Sequence, residues 1–285
     1  MNKGLSFEKE FMETNPLNGS ILGYMREAMN VDEVRWCDIT SPNMSKVSKL
    51  INKECSGNTP QTYISIIKSF LKKYVECLEY GLMPADQLKA KHMPSQNVFL
   101  TEEEVELIEQ YADRLEKRSG REVEKDVVNA FLIECYCGAR GIDVEQFTEE
   151  NIIDGQLVYI SQKTKVMTKV PIHPKIADRL LRKSKKEYAD STKNRIIKRV
   201  ASKVGIDQVI TIFYRGKLQT KPKYEFLGFH TARRSFCSNL ANRGVDIYTI
   251  AALANHDKDI AMTQRYIIPD IDKLSEEALK FFNGK

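Results

Sequence analysis

The chain has 285 residues, of which 42% are apolar and 29% charged, with a formal net charge of +5. That length suits two domains of ordinary size, and the apolar content is enough to bury real cores, which excludes a disordered tail. Apolar runs are broken by charge far short of the roughly 20 residues that span a bilayer, and the first residues, MNKGLSFEKEFMETNP, lack the apolar core of a secretory signal, so a cytoplasmic protein with no membrane partner is expected.

From Gly19 to about Pro84 the pattern is helical. Its clearest element is TPQTYISIIKSFLKKYVECLEYG, with Thr59 and Pro60 as cap and first turn and Gly81 as stop. Tyr63, Ile66, Ile67, Phe70, Leu71, Tyr74 and Cys77 or Leu78 recur at the helical period, and Lys68, Lys72 and Lys73 occupy the polar face. Two amphipathic segments, SILGYMREAM and MSKVSKLINKE, precede it. From Ala85 to Asn97 the chain turns polar and reads as an interdomain linker, with His92 on its surface. Thr101 and Glu104 then form a capping box, with Phe99 and Leu100 just before it.

EKDVVNAFLIECYCG is apolar on much of its surface and is expected to be the core helix of the second domain, ending at Gly138. NIIDGQLVYISQKTKVMTKVPIH holds two alternating runs, a hairpin or small sheet. Helices resume in HPKIADRLLRKSKKEY, TKNRIIKRVASKVG, HTARRSFCSNLANRG and DIYTIAALA, and the chain ends on LSEEALKFFNGK. The fold class expected is mainly α with a small antiparallel β-sheet, in two domains. The assigned spans are 1–84 (helical), 85–97 (linker), 98–270 (second domain) and 271–285 (C-terminal helix or tail).

The six cysteines (37, 55, 77, 135, 137 and 237) are scattered, with no second pair at zinc-finger spacing around the CxC of Cys135 and Cys137. Buried free thiols are expected. No nucleotide-binding loop, HExxH or metal-spaced carboxylate cluster occurs, so no cofactor and no metal are expected. Charge is distributed unevenly. Between Lys163 and Lys203 there are 14 Lys/Arg against three acids, a local excess of +11. Such a field either attracts a phosphate backbone or belongs to a solvated helix face.

Four words hold candidate chemistry. Arg140 follows the apolar helix, with Asp143 three residues on to orient its fork of donors. His230 and Arg233, at i and i+3, share one helical face, while Arg234 points about 100° away. His256 precedes Tyr266 by ten residues, with Asp257 or Asp259 able to cap the helix that carries the tyrosine. Lys163 lies in the hairpin. Taken singly, each has a structural reading: a surface salt bridge, a chance HxxR, a packed tyrosine.

Together and in this order, "CGARGIDVEQFTEENI", "QKTKVMTKVP", "LGFHTARRSF" and "LANHDKDIAMTQRYI" resemble the tyrosine recombinase (phage integrase) family, closely from about Phe99 to Pro269. The span Ile21 to Pro84 is similar, more loosely, to that family's helical core-binding domain. The resemblance implies that Arg140 and Arg233 hold the scissile phosphate and that Tyr266 is the nucleophile. Lys163, eight residues before Pro171, matches the family's hairpin lysine and would be the general acid. His230 would be the base, His256 a phosphate ligand, and Asp143 the supporting acid. Three departures stand out: Asn255 replaces the usual glycine, one extra residue separates His256 from Tyr266, and Arg234 follows Arg233. Asn tolerates left-handed φ, and the insertion fits the loop after His256.

The activity implied is site-specific recombination of double-stranded DNA through a covalent 3′-phosphotyrosine intermediate, in a prokaryotic cell and encoded by a phage or other mobile element. The implied partners are duplex DNA, a homo-tetramer on two DNA sites (a monomer or weak dimer without DNA) and accessory DNA-bending factors. Lys68, Lys72, Lys73, Lys175, Arg182, Lys183, Lys185 and Lys186 are candidate phosphate contacts in a clamp hinged at the linker. Leu274, Leu279, Phe281 and Phe282 of the tail are expected to meet a neighbouring protomer. No additional arm-type domain is expected ahead of the helical one, given the short N-terminal portion. A nicking-closing enzyme like a type IB topoisomerase and a catalytically silent DNA-binding regulator are the alternative readings.

Overall fold

A computed structural model describes residues 6–74, 84–91, 96–184, 186–214, 216–256 and 260–269. The chain divides into two compact units, Met1–Gln96 with Ile212–Gln219, and Asn97–Thr211 with Thr220–Lys285. Mainly helical structure with small antiparallel sheets is observed, as the sequence pattern indicates. His92, Cys77, Leu78, Gly81, Lys185, Asp257, Asp259 and the tail from Ile271 lie outside the described residues.

The first unit is built on α1 (Phe7–Thr14), α2 (Gly19–Met29), α3 (Ser41–Glu54) and α4 (Thr59–Lys73). The sequence pattern placed no helix at α1, yet Ser6 caps it, accepting from Lys9 N at 3.3 Å, and Phe7 and Phe11 are fully buried. Their rings meet Phe70 edge-on at 5.1 Å, and Phe7 meets Trp36 at 5.0 Å. Each such pair contributes about 0.5–1.5 kcal/mol beyond the area it buries. On α4 the buried stripe is Pro60, Ile64, Ile67, Phe70 and Leu71, with Tyr63, Ile66 and Tyr74 half-buried against the core. The cap of α4 is Asn58 rather than Thr59. In the stretch expected to be a linker, Ala85 and Leu88 are buried in this same core. Lys89 and Lys91 are bonded to Ser48 and Asn52 of α3 at 2.7–3.0 Å.

The second unit opens with α5 (Glu102–Glu116). Its capping box is formed as expected: Glu104 N donates to Thr101 Oγ1 at 3.3 Å and Thr101 N to Glu104 Oε2 at 2.8 Å. α6 (Glu122–Cys137) is the axis of this unit. Its apolar residues bury against α5, α7 (Gly141–Gln146), α8 (Pro174–Arg182), α9 (Asp190–Lys203) and α10 (Thr231–Asn242). It stops at Gly138, whose φ of 65° ends the helix in the left-handed region. A Cβ there would lie 2.3 Å from Phe236 Cδ1, so glycine is required twice over.

β1 (Ile152–Ile153), β2 (Gln156–Ile160) and β3 (Met167–Pro171) form an antiparallel sheet, with Leu157 opposite Val170 and Tyr159 opposite Thr168. These four side chains face inward and fix the register, because a one-residue slip would expose them. A second hairpin, β4 (Val209–Tyr214) and β5 (Lys217–Pro222), was not anticipated. Gln96 N donates to Phe213 O at 2.8 Å and Phe213 N to Gln96 Oε1 at 2.7 Å. α11 (Ile247–Leu253) and α12 (Ile260–Gln264) complete the unit. Cys135, Cys137 and Cys237 are buried thiols, as expected, whereas Cys37 is exposed. Among the described residues no helix is long and apolar enough to cross a membrane.

Candidate active site

Arg233, in the first turn of α10, is fully buried. Its neighbour Arg234 is half-buried, so one of two adjacent arginines turns inward, as their 100° separation requires. A buried guanidinium needs several acceptors. Nη1 donates to the carbonyl of Gly138 and Nη2 to the carbonyl of Ala254, the residues that end α6 and α11. Nη2 also meets His256 Nε2 at 2.7 Å. Because guanidinium only donates, that nitrogen is an acceptor and the ring proton sits on Nδ1, which faces Thr263 Oγ1 of α12 at 3.2 Å. His256 is 4% exposed and both ring nitrogens are engaged within the protein. The role of phosphate ligand expected for it therefore competes with its bond to Arg233.

Asn255 immediately precedes this histidine with φ 53°, the left-handed conformation expected of the residue in the glycine position. Its Nδ2 donates to Thr164 Oγ1 at 3.0 Å, tying the β2–β3 turn to the end of α11. Lys163 is the preceding residue in that turn and is exposed. Its charge acts on His230.

Arg140 lies between α6 and α7, half-buried, with Nη1 donating to Ser161 Oγ at 3.2 Å. Ser161 in turn donates to Asp143 Oδ2 at 3.2 Å, and Gln162 N donates to Asp143 Oδ1 at 2.7 Å. Asp143, 2% exposed, thus orients Arg140 through Ser161 and holds the start of the lysine turn at the same time. Burial and the like charge of Arg233 lower the Arg140 pKa from its ordinary value. Two guanidinium groups whose charges act on one another are a pair of the kind that can receive an oxyanion.

Tyr266 completes the arrangement. Ser238 Oγ donates to Tyr266 O at 3.1 Å and accepts from Ile268 N at 3.0 Å, fixing the backbone on either side. The phenol Oη lies 2.9 Å from His230 Nε2. Its ring centroid is 5.3 Å from Arg233 Cζ and 5.0 Å from the His256 ring. His230 keeps contact with solvent, yet desolvation of its ring and the charges of Arg234, Arg233, Arg140 and Lys163 lower its pKa to about 4. It is therefore a neutral imidazole at physiological pH, able to accept a proton from the phenol.

The structure thus brings Arg140, Asp143, His230, Arg233, His256 and Tyr266 together, with Lys163 on an adjoining turn. Ser161, Ser238 and Thr263 carry no such signal in the sequence, since a hydroxyl that supports another residue's side chain or backbone leaves no spacing pattern. The candidate phosphate contacts fare unevenly. Lys68 is half-buried, and Lys72 and Lys73 lie exposed on α4. In the basic run, Lys175 pairs with Glu109, and Arg182 pairs with Asp113 at 3.4 Å and Asp178 at 2.5 Å. Lys183 Nζ donates to the carbonyls of Glu145 and Ser184 at 3.0 and 3.1 Å. Part of the +11 counted along the chain is offset through space, by Glu109 and Asp113 of α5, Glu124 of α6 and Glu145 of α7. Lys186 is exposed.

Comparison with known proteins speaks to the fold and the family. No curated protein matches the chain. Among solved structures, a lambda integrase tetramer bound to a Holliday junction is similar with TM-score 0.63 and 16% identity, covering 94% of this chain and 79% of that one. XerH site-specific recombinase bound to palindromic difH substrate gives 0.62 and 13%, covering 96% and 76%. The Tn1549 transposon integrase in complex with a circular intermediate DNA gives 0.56 and 13%, covering 96% and 98%. At these identities the likeness is one of fold. Residues 95–271, well over half of the chain, match the model of the phage integrase family, and to that family, the tyrosine recombinases, this chain belongs.

Proposed function

We propose that the chain carries out site-specific recombination of duplex DNA by cleaving and rejoining one strand at a time through a covalent 3′-phosphotyrosine link at Tyr266. The observation that carries this reading is the placement of Tyr266 Oη 2.9 Å from the neutral His230, with its ring beside the Arg233 guanidinium. A free phenol has a pKa of about 10 and needs a base near neutral pH. In the proposed step the proton of Tyr266 passes to His230 as Oη attacks phosphorus. Arg140 and Arg233 hold the non-bridging oxygens, whose charge grows in the transition state. The bond from phosphorus to the 5′ oxygen breaks, and Lys163 protonates that oxygen as it leaves. Religation is the same path in reverse, since the phosphotyrosine ester keeps the bond energy.

DNA is the expected partner, held through phosphate contacts that include the exposed lysines of α4, with four protomers on two sites. Affinity should then fall steeply with salt. The test is recovery and sequencing of DNA covalently attached to the protein in its host. Wild type should yield adducts at one recurring sequence, and Tyr266→Phe should bind the same DNA without forming any. Trapping of that variant at the wild-type level would sink the nucleophile assignment. Relaxation of supercoiled DNA lacking any such sequence would favour a nicking-closing enzyme instead.

A further inference from the structure

Glu134 is an acid inside the apolar run FLIECYCG of α6, and the reaction proposed above makes no use of it. It is 0% exposed, and neither carboxyl oxygen is hydrogen-bonded to a described protein group. Its place is specific. Gly138 N donates to its backbone oxygen at 2.9 Å, so Glu134 lies one turn below the glycine whose carbonyl receives Arg233 Nη1. On the other side, Oε2 lies 3.6 Å from where a Cβ on Gly141 would stand, and Gly141 directly follows Arg140. The carboxyl is therefore enclosed beneath the segment that supports both arginines.

Arg233 presents the complementary feature. Its Nη1 and Nη2 are bonded, while the buried Nε has no hydrogen-bond partner among the described protein groups. The charged groups acting on Glu134 come from three packed elements. These are Arg233 of α10, Lys193 of α9, and Asp143 and Glu145 of α7, and the thiols of Cys135 and Cys137 lie on its own helix. Desolvation dominates and raises the carboxyl to about 8; the two cations oppose the rise and the two acids add to it.

We propose that Glu134 is a positioning residue that acts through Arg233. As a neutral acid it leaves the full guanidinium charge to the scissile phosphate; as an anion it draws on Nε and cancels part of that charge. This rests on the reading of Arg233 as a phosphate-binding group. Two consequences follow from linkage. A phosphate bound to Arg233 adds negative charge near Glu134 and favours its neutral form, so DNA binding takes up a proton. Strand cleavage weakens as pH climbs through the range in which Glu134 ionises.

The sign for stability is fixed in the same way. A carboxyl whose folded pKa lies above its ordinary value binds more protons in the folded chain than in the unfolded one between the two values, here 4.5 and about 8. Wild-type stability should therefore decline across that interval. Glu134→Gln and Glu134→Leu lack this decline, and Leu continues the apolar run should Gln pack poorly.

Urea unfolding of the full chain at about pH 5.5 and about pH 9 tests the first part. Relative to wild type, both variants should gain about tenfold or more in folding equilibrium between these conditions. A difference independent of pH would show that the carboxyl does not titrate there, and would overturn the proposal. The second part uses the DNA recovered from host adducts, nicked beside the scissile phosphate, with the rate of adduct formation followed from about pH 6.5 to about pH 9. Wild type should lose about tenfold more rate than Glu134→Gln over this range. Parallel profiles would overturn the coupling to Arg233. No adduct from wild type at any pH would instead remove the recombinase reading, and the coupling with it, while the urea series still reports whether Glu134 titrates.

Discussion

Arg233 and Lys163 are both cations directed at one phosphate in the proposed reaction, and the protein holds them in opposite ways. Arg233 is fully buried, and its Nη1 and Nη2 end on two main-chain carbonyls and His256. Lys163 stands in solvent on a turn whose neighbour Thr164 is tied to Asn255 by one bond of 3.0 Å. The difference matches the two tasks. A charge that stabilises a transition state acts most strongly when it is dry and already oriented. An acid that gives up a proton must regain one, and a wet, movable place allows that.

The contrast predicts how each half fails. The largest effect belongs to Arg233→Ala, which should lose activity by about 10²–10³ or more and also stability. It leaves the carbonyls of Gly138 and Ala254 buried without a donor, at about 1–3 kcal/mol for each unsatisfied group. Adduct assays beside chemical denaturation check both, and unchanged stability would break the contrast. Lys163→Ala comes next, with a rate loss of about 10², the lower end for a general acid, and stability within about 0.5 kcal/mol of wild type. A clear drop in denaturation midpoint would mean that the turn is structural after all.

Asn255 separates the halves more finely. Asn255→Ala should destabilise by about 1–2 kcal/mol, because alanine tolerates φ of 53° poorly. Asn255→Gly should restore the fold but not the tie to Thr164, leaving a several-fold slower cleavage. If both variants cleaved at the wild-type rate, the tie would have no part in placing Lys163. The smallest expected change is none. His230 takes up a proton only at about 4, below its ordinary 6.5, so the neutral base persists as pH falls from about 7 to about 5 and the adduct rate should not fall on its account. Loss of rate with a midpoint near the ordinary histidine value would show that desolvation and the surrounding cations do not depress it.

Local signals in the sequence were read correctly where one residue meets one rule. Thr101 and Glu104 cap α5 and Gly138 stops α6, from residue type and spacing, and Asn255 takes the left-handed turn that the resemblance implied at its glycine position. Arg140, His230, Arg233, His256 and Tyr266 were legible through their order, and the fold does converge them. Features that depend on distant neighbours were not legible. Phe7 and Phe11 form α1 because Trp36 and Phe70 cover them, and nothing local announces that. The β4–β5 hairpin buries little, so its alternation carried no clear inward face. The basic run looked unopposed because its acids, Glu109 and Asp113, lie more than 60 residues away along the chain. Likewise the depth of Arg233 follows from α6 and α11 ending around it.

That last feature bears on how such a site survives divergence. The bonds that fix Arg233 end largely on peptide carbonyls, and a carbonyl is supplied by every amino acid. Substitution at Ala254, or along the outer faces of α6 and α11, leaves those acceptors in place as long as each helix ends where it does now. Only Gly138 is held to one identity, by its φ and by Phe236. Chains sharing 13–16% identity with this one keep the same architecture. An anchor written in main chain rather than side chain leaves room for drift in the residues around it.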